Sequence, residues 1–199
     1  MDIVHHLQDI VGPKGMLLGD DVSARPNLSW GAGHCPAKAI VRPASTEELS
    51  QVMTLCHQHG QTIVPQGGLT GLVNGFSCCE DDIGVSLERM NRIEHIDAGA
   101  GTMRVQAGAV LQNVQDAARE AGWLFAVDFG ARGTANIGGM IGTNAGGNSV
   151  VRYGMMREQV LGLEAVLADG TVISSMNEML KNNAGYDIKH LFIGSEGTL

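Results

Sequence analysis

Three stretches of the chain carry apolar residues at the spacing of a helix that buries one face. The first, residues 2–11, is closed by Gly12-Pro13. The second follows Ser45, whose partner Glu48 three positions on completes a capping box. Leu49, Val52, Met53 and Cys56 form its apolar face, and Gly60 stops it. The third covers 109–121, with Val110, Val114, Ala117 and Ala121 on one side and Gly122 at its end. Between these lie short runs of strand type: Ala39-Ile40-Val41, Thr62-Ile63-Val64, and residues 83–87, 92–97 and 102–107. The last of them alternates Met103, Val105 and Ala107 with polar neighbours. Val160–Leu167 and Thr171–Ser174 read as a hairpin turned at Asp169-Gly170.

The order strand, helix, strand over residues 39–64 predicts a small βαβ unit with a parallel pair. The strands that follow favour antiparallel pairing. The expected fold is therefore α+β with two lobes: a small parallel βαβ lobe over about 1–97, and a larger, mainly antiparallel sheet lobe with helices over about 98–199. Leu191–Leu199 reads as a strand and turn entering another strand, which leaves the second lobe incomplete. A bare strand edge there would invite an oligomer.

Composition narrows the function. With 13 basic and 21 acidic residues the net charge is −8, the opposite of what neutralising nucleic-acid phosphates requires, so no nucleic-acid partner is expected. Aromatics at 4% offer no stacking platform for bases. Cys35, Cys56, Cys78 and Cys79 show no C-x-x-C spacing and read as free thiols in a reducing, cytoplasmic setting. No secretory signal or transmembrane run is apparent. Glycine stands out: 28 of 199 residues is twice the usual share of roughly 7%. These glycines cluster between apolar runs, as where a backbone lies close to something else.

Two glycine-rich segments carry the candidate chemistry. Pro65-Gln66-Gly67-Gly68-Leu69-Thr70-Gly71-Leu72 leaves a buried strand directly. Glycines there let successive N–H groups face an anion, and Thr70 adds a hydroxyl. Taken alone, the same run also suits a tight surface turn. The second segment, Gly133 to Gly147, interleaves glycine with small polar residues and reads as a partly buried ribbon lying along a large flat ligand. Ile137, Met140 and Ile141 would pack inward or against a ring, while Thr134, Thr143 and Asn144 offer hydrogen bonds. Gly142-x4-Gly147 is followed by Asn148-Ser149 and so lacks the lysine of a P-loop. No G-x-G-x-x-G follows a strand, which leaves a Rossmann site unsupported.

These residues, with Asp128-Phe-Gly130-Ala-Arg-Gly133, Arg152-Tyr153-Gly154 and Gly185–Leu199 (GYDIKHLFIGSEGTL), resemble the vanillyl-alcohol-oxidase type of FAD-binding domain. The branch most similar is that of the D-lactate, D-2-hydroxyglutarate and glycolate-oxidase-subunit flavoproteins. The resemblance implies two α+β lobes with FAD clamped between them. It implies that Pro65, Gly67, Gly68, Leu69, Thr70, Gly71 and Leu72 cradle the pyrophosphate. Asp128, Gly130, Gly133, Thr134, Ile137, Gly138, Gly139, Gly142, Thr143, Asn144 and Gly147 would run along the ribityl chain, phosphates and ring. Glu196 and Gly197 would approach the adenosine side. Covalent members often carry a histidine in the first loop, where Leu69 and Thr70 stand here, so the FAD is expected to be non-covalent.

The activity so implied is oxidation of a small D-2-hydroxy acid to the 2-oxo acid by hydride transfer to flavin. Similar sequences continue past SEGTL with a further strand and a substrate (cap) domain. The chain alone is expected to lack these and to be inactive, and no catalytic residue is assigned in it. A related FAD reductase acting on a sugar nucleotide is less well matched by the GYDIKHLFIGSEGTL ending. A non-catalytic FAD-binding or assembly subunit is the alternative of a different class. The seven histidines lack ligand spacing, so no metal site is expected, and Lys181 with Asp187 suggests a surface ion pair.

Overall fold

The computed structural model describes residues 3–199; residue 2, which the apolar pattern includes in the first helix, lies outside them. Contacts gather the chain into two units, one running to Met90 with Val166–Val172 added, the other formed by Asn91–Ala165 and Ile173–Leu199. The division falls before residue 97 because the strand that begins at Ile93 pairs with its successor and goes with it.

The first unit opens with α1 (Ile3–Val11), which buries Leu7 and Val11. Gly12, at φ 70, turns the chain out of it. After β1 (Met16–Leu17), α2 (Asp20–Ser23) and β2 (Ala39–Val41) comes α3 (Thr46–Gln58). At its start Ser45 Oγ accepts from the Glu48 N–H at 3.2 Å, while the Glu48 carboxylate reaches one residue further back than in a capping box, to the N–H of Ala44 at 2.8 Å. Val52 and Cys56 are fully buried, with Leu49 packed beside them.

β3 (Ile63–Gln66) and β4 (Ile83–Ser86) complete a sheet ordered β1-β2-β4-β3. β2 and β3 are thus not neighbours, as the βαβ reading expected. Both run parallel to β4, which lies between them. β4 takes the centre because all four of its residues are buried, whereas β3 is only partly covered. Gly84 is needed there, since a Cβ would stand 2.4 Å from Ile40 Cδ1. Burying side chains such as Leu7, Ile40, Val52 and Ile83 contributes roughly 1.5–3 kcal/mol each to this core. Beside the sheet, Glu88 accepts two 3.0 Å bonds from Arg25 and one from Arg42.

In the second unit β5 (Ile93–Asp97) pairs antiparallel with β6 (Thr102–Val105). α4 (Leu111–Glu120) buries Leu111, Val114, Gln115 and Ala118. The buried face is therefore rotated from the expected one: Ala117 and Ala121 are only partly covered. Gln115 sits inside because its Nε2 donates to Val127 O at 2.9 Å. Three short helices follow, α5 (Ile137–Gly142), α6 (Val150–Tyr153) and α7 (Met156–Gln159). Leu111, Val114, Ile137, Met140, Met156 and Ile193 share the core.

β7 (Leu163–Val166) and β8 (Val172–Ser175) form the expected hairpin. Its tip is counted with the first unit, where Ser50 Oγ donates to Gly170 O and Thr54 Oγ1 to Asp169 O. The expected strand near Leu191 is instead the short helix α8 (Lys189–Phe192), followed by turns. Asp187 pairs with Lys189 and His190 rather than with Lys181.

Candidate cofactor-binding site

In the first unit β3 delivers Gln66 to the mouth of the loop Gly67–Leu72. Gln66 is buried, and its Nε2 donates to Phe76 O at 3.2 Å and approaches Cys78 Sγ at 3.5 Å, fastening the far side of the loop. Its Oε1 is buried without a hydrogen-bond partner among the described residues. Leu69 holds φ 55, left-handed backbone that a branched side chain adopts only when its surroundings impose it. Among the described residues no N–H from Gly68 to Leu72 donates to a protein acceptor, and the Thr70 hydroxyl has no internal partner. Leu72 is exposed. The loop is thus a row of unspent donors, as an anion requires.

In the second unit the tract is sewn to the segment before it. Ile137 N donates to Ala109 O and Gly138 N to Ala107 O, Asn136 Nδ2 to Gly108 O, and Leu111 N returns to Ala135 O. Its middle is helical rather than an extended ribbon: α5 places Ile137 and Met140 inward, at 4% and 3% exposure, a one-turn spacing that marks a helix. The hydroxyl protons of Thr134 and Thr143 go to Ala131 O and Gly139 O, and Asn144 Oδ1 accepts from Arg157 N–H, so these three are less free than expected. Asp128 Oδ1 is held by Arg132 at 2.9 Å and Gln115 at 3.3 Å. Gly194 N and Glu196 N donate to Ile141 O and Gly142 O, closing the C-terminal end of α5.

The glycines sort into two kinds. Gly138 and Gly147 are required by the fold: a Cβ would lie 2.8 Å from Ala107 Cβ in one case and 2.1 Å from Asp128 O in the other. Gly71, Gly130 and Gly133 have ordinary φ and nothing within 4 Å of an added Cβ, and Gly142 meets only two backbone atoms at 4.0 Å. The fold does not need glycine at these four positions, yet side chains are missing where a ligand would come close. Gly75, just past the first loop, is open in the same way. Three of the five non-glycine residues with positive φ, Leu69, Asn144 and Glu196, also fall in these segments.

A cavity of about 220 Å³ beside the start of the tract is lined by Gln115, Arg119, Trp123, Phe125, Asp128 and Arg132. It is smaller than the roughly 300–1,000 Å³ of small-ligand pockets, so by itself it accommodates only part of a dinucleotide. Among the described residues no cluster of three histidine, cysteine or acidic side chains is arranged to hold a metal. Sequence reasoning missed Gln66 and Arg157. The first had a signal, a polar residue closing an apolar strand, and the second had none.

Comparison with known proteins gives the family of the chain. The family pattern described as "FAD binding domain" matches residues 37–175. The chain belongs to this FAD-binding family. It is 41% identical over 199 residues to a probable mitochondrial D-2-hydroxyglutarate dehydrogenase of Oryza sativa subsp. indica, covering all of this chain and 36% of that protein. It is 43% identical over 175 residues to the mitochondrial D-2-hydroxyglutarate dehydrogenase of Bos taurus, covering 87% of this chain and 32% of that one. The chain therefore spans about a third of the length of these curated relatives. Among solved structures, alkyldihydroxyacetonephosphate synthase superposes with a TM-score of 0.84 at 21% identity, over 99% of this chain and 36% of that one. At that identity the likeness is one of fold, and it agrees with the mixed parallel and antiparallel α+β architecture. FAD is the cofactor of the family, and no helix among the described residues is long and apolar enough to cross a membrane.

Proposed function

We propose that this chain is the FAD-binding part of a flavoprotein dehydrogenase that oxidises a D-2-hydroxy acid to the 2-oxo acid. The reading is carried by two observations: the glycines at 71, 130, 133 and 142, which the fold does not demand, and, in the first unit, a loop whose N–H groups have no partner among the described residues. The N–H groups of Gly68 to Leu72 are suited to the pyrophosphate, whose charge they meet with dipoles rather than with lysines. That choice fits an acidic chain of net charge −8.

Gly130, Gly133 and Gly142 leave room for the bulkier parts of the cofactor, and Glu196 with Gly197 borders the space beside Gly142. When bound, the flavin supplies a ring that accepts the hydride equivalent from the hydroxy acid. This chain's own part is to bind and orient that ring. Leu69 and Thr70 offer no histidine for attachment, so the FAD is held without a covalent bond. The names of the relatives support D-2-hydroxyglutarate as the first hydroxy acid to try. The four free cysteines favour a reducing compartment such as the cytoplasm, whereas the rice and bovine relatives are named mitochondrial.

An absorbance spectrum of the purified chain, repeated on the supernatant after heat denaturation, tests this reading. Flavin bands that move into the supernatant are expected. Bands that stay with the precipitate would refute non-covalent binding, and a chain that takes up no added FAD would refute the reading as a whole.

A further inference from the structure

We propose that Arg157 is a positioning residue for the FAD site: it fastens the segment His190–Gly197 to the end of α5, and FAD affinity depends on that fastening. The proposal rests on the FAD reading given above.

Arg157 spends both faces of its fork on this segment. Nη1 donates to His190 O at 3.2 Å and lies 3.0 Å from His190 Nδ1, while Nη2 donates to Ile193 O. A guanidinium has no lone pair to offer, so Nδ1 of His190 accepts and Nε2 carries the proton. Nε2 in turn faces Asp187 Oδ2 at 3.4 Å. On its other side the backbone N–H of Arg157 donates to Asn144 Oδ1 at 2.9 Å, and Asn144 sits in left-handed backbone at φ 49. One residue thus ties the last turn of the glycine tract to the terminal segment.

The tie matters at Gly142. The nearest atoms to a Cβ built there are Glu196 Cα and Gly197 N, both at 4.0 Å. The terminal segment is therefore the wall of the open space beside Gly142. Glu196 holds positive φ, at 54, a conformation that a non-glycine residue keeps only where the surroundings over-determine it, while Gly197, at 78, adopts it freely. Ile193 anchors the segment in the core at 2% exposure, and the N–H groups of Gly194 and Glu196 reach Ile141 O and Gly142 O. The Arg157 fork stands immediately before that pair and sets where they begin. A lysine would keep the charge but lose the planar fork that serves acceptors on two residues.

The test combines FAD titration by flavin fluorescence with amide hydrogen exchange on the 199-residue chain, Arg157→Ala, Arg157→Lys and, as a control in the same unit, Arg104→Ala. Arg104 pairs with Glu178 and has no contact with the terminal segment among its described partners. Arg157→Ala is expected to speed exchange at Gly194 and Glu196 and to raise the Kd for FAD at least tenfold. Arg157→Lys should recover only part of the affinity, and Arg104→Ala should stay within twofold of the parent chain. Three results would overturn the proposal: faster exchange in Arg157→Ala with unchanged Kd, unchanged exchange at Gly194 and Glu196, or equal loss in both alanine variants. If the parent chain itself binds no FAD, the functional reading falls and takes the proposal with it, whereas the exchange data still report on the tie alone.

Discussion

Gly147→Ala separates a glycine that the fold needs from one that a ligand needs. At Gly147 φ is 143, and an added Cβ would lie 2.1 Å from Asp128 O, 2.9 Å from Asp128 C and 3.2 Å from Asp128 N. Ordinary contact begins at 3.4 Å, so the backbone must move by more than 1 Å. The same carbonyl accepts the Asn148 N–H at 3.0 Å, and that bond does not survive such a shift. Overpacking against rigid backbone costs about 1–3 kcal/mol. The lost hydrogen bond costs about 1 kcal/mol, and alanine in a glycine-only conformation about 1–3 kcal/mol. Together this is roughly 3–7 kcal/mol, a large part of the ~5–15 kcal/mol that holds a domain folded. For a chain of this length each kcal/mol moves the midpoint by about 2–4 °C, so the thermal midpoint should fall by at least about 6 °C. Circular dichroism melts without FAD measure it. Gly133→Ala, with open space and ordinary φ, should stay within about 1 kcal/mol of the parent or gain slightly. A Gly147→Ala midpoint within about 2 °C of the parent would refute the close approach to Asp128.

Two further outcomes follow from the first unit. Burial pushes the Glu88 carboxyl up, but hydrogen bonds from Arg42, Arg25 and Ser86 and the charge of Arg25 outweigh it and hold it below the ordinary carboxylate range. A depressed folded pKa means stability present above the unfolded value, ~4.3, and lost as pH falls through the folded one. Glu88→Gln should therefore flatten the acid side of the pH–stability profile below about pH 4. It should also cost about 1–3 kcal/mol at neutral pH, since the partly exposed side chain moderates the loss of two arginine partners; an unchanged acid limb would contradict this. Burial pushes the Cys56 thiol up to about 11 and the Cys78 thiol up to about 12, while Cys79 is exposed. Iodoacetamide at neutral pH, followed by peptide mass spectrometry, should modify Cys79 first and reach Cys56 and Cys78 only on unfolding.

Local signals served the fold well where they were self-contained. Ser45 with Glu48 announced α3, Gly60 and Gly122 ended helices, and Asp169-Gly170 turned the hairpin. Strand order was not legible, because nothing local in Ile83–Ser86 says that it will lie between β2 and β3. The face of α4 was misplaced because Gln115 is buried by a hydrogen bond to Val127 O rather than by apolarity. Among the glycines and small polar residues, Ile137 and Met140 were too sparse a helical signal to reveal α5, and the four-residue run at α8 has no period that distinguishes helix from strand. Both glycine segments were visible by composition. Which glycines the fold needs, as it does Gly138 and Gly147, and which have open space beside them, as Gly71 and Gly133 do, depends on neighbours distant in sequence.

Titration of FAD into the parent chain and into Gly71→Ala, with melting midpoints recorded for both, tests the central claim most directly. The parent should bind FAD at one per chain, and Gly71→Ala should bind at least tenfold more weakly with its midpoint unchanged. A parent that does not bind, or a Gly71→Ala variant that binds equally well, would contradict it.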